Sequence, residues 1–65
     1  MNFDKINDNE KNKLIHQINN GFFNNEQLYN IYSNHYLHMT NENFNVDLRI
    51  KYHEICIVIL KVLLN

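Results

Sequence analysis

The chain has sixty-five residues, with six Lys and Arg against seven Asp and Glu and four His; that is one near-neutral domain, residues 1–65. The balance argues against a nucleic-acid binder dominated by phosphate contacts, which would carry a basic stripe, and equally against an acidic mimic of DNA. The single cysteine, Cys56, excludes an intrachain disulfide, and a chain this short shelters only about 60% of its unfolded surface, so a staple or a partner subunit is expected to supplement its stability.

The first predicted helix runs from about Asp8 to Asn20. Leu14, Ile15 and Ile18 fall at helical spacing, and Phe3 and Ile6 just precede them. Asn7 or Asp8 caps the start, and Glu10 sits in the first turn, where the helix dipole favours a negative charge. Gly21, the only glycine, stands where a left-handed C-terminal cap would use it. The second helix opens on Asn24-Asn25-Glu26-Gln27, in which Asn24 and Gln27 form a capping box with Asn in place of Ser or Thr. Leu28, Ile31, Tyr32, His35 and Met39 then recur along one stripe. Tyr29 and Tyr36 flank it, and Glu26, Asn30, Ser33 and Asn34 face away.

The third segment supports two readings. Phe44, Val46, Leu48, Ile50 and Tyr52 alternate with polar residues, as in a half-buried strand. Yet Leu48, Tyr52, Ile55, Ile59 and Val62 step by 4, 3, 4 and 3, as along a helix seam. Helix is the expectation, from about Asn43 to Leu64, for three reasons. No turn signal falls between Tyr52 and Val62, Asp47 and Lys51 make an i, i+4 pair, and Thr40, Asn43 or Asn45 supplies a cap.

On a helical wheel this last helix is apolar on two sides. Leu48, Tyr52, Ile55, Ile59 and Val62 form one face, extended by Cys56 and Leu63. Val46, Ile50, Ile57, Leu60 and Leu64 form a second, broken only by His53. Asp47, Lys51, Glu54 and Lys61 make a narrow polar strip between them. Two short helices can cover one face. Full burial of a Val, Leu or Ile contributes about 1.5–3 kcal/mol, so leaving five of them in water forgoes several kcal/mol. A second copy, paired through a two-fold interface around residues 46–64, is the expected cover. In the competing arrangement the first two helices wrap the third completely. The fold class expected is thus all-α: a three-helix bundle with two short helices and one long apolar C-terminal helix, completed by dimerisation.

The remaining residues carry few chemical signals. His35 and His38, with His53 and Cys56 at the same spacing, spell a possible His3Cys zinc site. Chance yields such gaps easily, and a neutral His35 bonded to a tyrosine is the plainer explanation, so no metal or cofactor is expected. No phosphate loop, GxSxG, HExxH or paired carboxylate is present, and catalysis is not expected. Cys56, inside an apolar run, reads as a core residue of a reducing compartment. The N-terminal stretch lacks the apolar core of a secretory signal. The stretch from Ile55 to Leu64, nine apolar residues in ten, is too short to span a bilayer. A soluble, cytoplasmic protein follows as the expectation.

Fourteen Asn, with no Ala, Pro or Trp, mark an AT-rich coding bias. That bias and the small size suit a protein from a virus or mobile element. Functionally, surplus apolar surface and tyrosines at its edge point to a stoichiometric binder that inhibits or redirects a larger protein. Tyr29, Tyr36 and the second face (Val46, Ile50, Ile57, Leu60, Leu64) are its expected contact residues. A small dimeric helix-turn-helix regulator is the alternative. Arg49 and Lys51, alone amid apolar residues, make a poor recognition helix. A tail resting on a membrane surface would want a basic face that this chain lacks.

Overall fold

A computed structural model describes residues 6–65, and over these the chain is a small all-α bundle of three helices. They are α1 (Asp8–Asn19), α2 (Asn25–Met39) and α3 (Val46–Leu63). Phe3 lies outside the described residues.

Asparagine, a poor helix former within a helix, is a strong one at its start, because its side-chain oxygen accepts an otherwise unpaired N–H of the first turn. Every helix here uses it so. Asn7 accepts from the Glu10 N–H at 2.8 Å, and the Glu10 carboxylate accepts from the Asn7 N–H at 3.4 Å. Asn24 and Gln27 make the same reciprocal box at 2.8 and 2.9 Å. Asn45 accepts from the Leu48 N–H at 2.8 Å. Each such cap contributes on the order of 1 kcal/mol, which offsets part of what the missing alanines cost.

The end of α1 is equally defined. Gly21 takes a left-handed φ of 73°, its N–H donates to the Ile18 carbonyl, and the Phe22 N–H donates to the Gln17 carbonyl at 3.1 Å. These are the two bonds of a Schellman cap. A Cβ at this position would meet nothing within 4 Å, so the cost of Gly21→Ala is purely one of backbone. A loss of about 1–2 kcal/mol is expected, read as a lower urea midpoint with an unchanged slope.

The third helix starts at Val46, three residues later than the Asn43 expected. The chain between α2 and α3 is occupied by a turn of its own. The Thr40 hydroxyl donates to the Tyr36 and Leu37 carbonyls, the Asn41 side chain accepts from the Asn43 N–H, and the Phe44 N–H donates to the Asn41 carbonyl. Asn45 then takes the cap. The alternation from Phe44 to Tyr52 is helical throughout its α3 part: Leu48 and Tyr52 turn inward, whereas Val46 and Ile50 turn out.

α3 is the centre of the molecule. Both α1 and α2 pack along it and meet each other much less. The buried apolar set is Ile6, Leu14 and Ile18, Leu28 from α2, and Tyr52, Ile55, Cys56 and Ile59 from α3. Leu48, Val62 and Leu63 close its edge. The polar strip of α3 is not an isolated solvated face. Lys11 of α1 reaches Glu54 at 2.8 Å, and Lys51 lies 3.8 Å from Asp8 where an ion pair with Asp47 was expected. A charge on a neighbouring helix has displaced the local i, i+4 partner. The Glu54 carboxylate, which accepts a hydrogen bond from Lys11, raises the Lys11 pKa above its ordinary value.

Candidate interaction surface

The second apolar face of α3 is exposed along the whole helix. Val46, Ile50, Ile57, Leu60 and Leu64 show between 37% and 82% of their surface to solvent. They cannot turn inward, because the helical repeat that buries Tyr52, Ile55 and Ile59 points them the opposite way. Their exposure is the geometric cost of a central helix with only two neighbours.

α2 runs antiparallel to α3, as three contacts show in order. The Met39 carbonyl accepts from Arg49 Nε at 2.8 Å. The His35 ring stands edge-on to Tyr52 with centroids 5.1 Å apart. The Tyr32 carbonyl accepts a weak bond from Cys56 Sγ at 3.9 Å. Tyr36 stacks on Tyr32 at 5.9 Å and is 45% exposed, and Tyr29 is 63% exposed. One turn beyond the Tyr32–Cys56 contact, in the antiparallel sense, Tyr29 comes level with Leu60. Tyr29 and Tyr36, seven residues apart, are thus exposed on one side of α2. Leu37 and Phe22 are also largely exposed and were not singled out in the sequence. Leu37 falls outside the stripe of α2 and Phe22 outside any helix, so periodicity gave no signal for either. Between α2 and α3 lies a shallow hollow of about 280 Å³, lined by Met39, Val46, Arg49, Ile50 and His53.

The His and Cys residues divide among different surroundings. His35 is fully buried, and its Nδ1–H donates to the Ile31 carbonyl at 2.8 Å. His38 packs on Tyr52 and Phe44, with centroids 5.1 and 5.2 Å away. His53 points out with the exposed row, and Cys56 is buried against α2. Among the described residues, no group of three or more His, Cys, Asp or Glu is placed to hold a metal ion. Burial pushes the Cys56 thiol up to about 11, which keeps it protonated and unreactive at neutral pH. The Arg49 side chain, tied to the Met39 carbonyl, is turned toward its own fold.

Burial also lowers the His35 pKa. The Ile31 carbonyl opposes the shift, and the neighbouring His38 adds to it. The unfolded chain thus binds a proton that the folded chain refuses. Stability is full above the ordinary histidine value of 6.5. It is lost as pH falls below that value, at up to about 1.4 kcal/mol per pH unit until the folded-state pKa is reached. Urea midpoints at pH 7.5, 6 and 5 are expected to fall in that order, and His35→Gln is expected to flatten the trend.

No helix among the described residues is long and apolar enough to cross a membrane. Comparison with protein-family models, with curated proteins and with solved structures gave no match.

Proposed function

We propose that the chain is a non-enzymatic protein-binding module that acts stoichiometrically on a larger protein, as an inhibitor or adaptor, and that it pairs with a second copy of itself. The observation that supports this reading is the exposed apolar row on α3, broken only by His53, together with two exposed tyrosines on α2. Contiguous apolar surface of this kind marks contact sites, and tyrosine is enriched at their energetic centres. The groups best suited to chemistry are occupied inside the fold, with His35 and Cys56 buried and Lys11 and Glu54 paired.

Capture of the target by a tagged chain tests the proposal. Wild type is expected to retain one protein in a fixed ratio to itself, and Tyr29→Ala/Tyr36→Ala is expected to weaken that capture by about tenfold or more. Equal capture by both forms, or none by wild type, overturns the assignment of this surface.

A further inference from the structure

The exposed row of α3 has a period that says what covers it. Val46, Ile50, His53, Ile57, Leu60 and Leu64 are separated by 4, 3, 4, 3 and 4 residues, the alternation of a coiled-coil seam. All six are exposed. The hollow beside them has the form such a seam needs, since Val46, Arg49, Ile50 and His53 are residues i, i+3, i+4 and i+7 of one helix. Four residues at that spacing form the hole that receives one side chain from a facing helix.

We infer that α3 pairs with α3 of a second copy in antiparallel orientation, about a two-fold axis near Ile55. This rests on the dimer proposed above and specifies its register. Val46 then meets Leu64, Ile50 meets Leu60, and His53 meets Ile57 of the other copy, and each contact occurs twice. Leu60 of the second copy enters the hollow.

Charge selects this orientation over the parallel one. Asp47 and Lys61 border the same side of the seam near its opposite ends, and neither is in an ion pair among the described residues. Antiparallel pairing sets Asp47 of each copy beside Lys61 of the other and opposes the two helix dipoles; the two Glu54 carboxylates that it brings together near the axis are each neutralised by Lys11 of their own chain. Parallel pairing would instead rely on Arg49 and Glu54, which Met39 and Lys11 already hold within the chain. It would also stack His53 on its own counterpart.

Disulfide trapping tests the register. With Cys56→Ala as background, a chain carrying Ile50→Cys is mixed with one carrying Leu60→Cys, and helicity is checked by circular dichroism. The mixture is expected to form a linked pair, and neither chain alone is expected to link to itself. Self-linking of the Ile50→Cys chain overturns the orientation. A second pair of variants avoids the seam. Lys61→Asp alone is expected to weaken dimerisation roughly three- to thirty-fold, and Asp47→Lys/Lys61→Asp together to restore it. A double variant as weak as the single one overturns the register. Wild type with the mass of one chain overturns the pairing itself. If that monomer still captures a target through α3, the binding role stands. A dimer in this register that captures nothing overturns the binding role and leaves the pairing intact.

Discussion

Ile55→Ala is expected to remove a large share of the fold's stability. Ile55 is fully buried on the inner side of α3, in the cluster that includes Leu14, Ile18 and Leu28. Truncating a buried Ile to Ala costs about 2–5 kcal/mol, the loss of transfer energy plus the cavity it leaves. At about 0.05–0.15 kcal/mol per residue, the net stability of a 65-residue chain is of the same size. Far-UV circular dichroism with urea titration is expected to show a large fall in midpoint at constant slope. An unfolding free energy within about 0.5 kcal/mol of wild type would show that α3 does not pack as described. Ile57→Ala, two residues away on the exposed row, is the control. At concentrations too low for the proposed pairing it is expected to cost far less, because the side chain it truncates is already partly in water.

Leu60→Glu is expected to convert the proposed dimer to a monomer without loss of helix. Each dimer contains the leucine twice, and each copy that moves from water into an apolar hollow contributes up to about 1.5–3 kcal/mol. Removing both therefore costs roughly two to four decades in association, before the expense of bringing a carboxylate into the seam. Light scattering is the measurement: the mass of two chains for wild type and of one for the variant. The same mass for both, whether one chain or two, would refute the role given to this face. The substitution lies on the exposed side, so the variant's thermal unfolding at low concentration is expected to match that of wild type.

Much of this fold can be read locally. Each of the three helix starts is an asparagine side chain closing on an N–H three residues later, an interaction complete within four residues. Gly21 ends α1 for a reason confined to its own φ angle. The division of α3 into a face that enters the core and a face that does not follows from the 100° step between its residues. What was not legible locally required knowing where a neighbour lies. Lys51 leaves Asp47 for Asp8 because α1 crosses the strip. Arg49 turns to the Met39 carbonyl because a tight turn brings the end of α2 to the start of α3. One local signal was also missed: Asn7 and Glu10 have the spacing of a capping box, which the Glu10 side chain closes.

Sequence alone thus determined the element count, both ends of α1, the start of α2 and the two-sided character of α3, since caps, turns and periodicity act over a few residues and need no tertiary partner. Tertiary structure decided which of the two apolar sides α1 and α2 cover, how the histidines and Cys56 are parted into separate surroundings, and which ion pairs form. The reason is physical. Either face of α3 is apolar enough to be a core, and the choice between them is made by where two other helices, tethered by short turns, are able to pack.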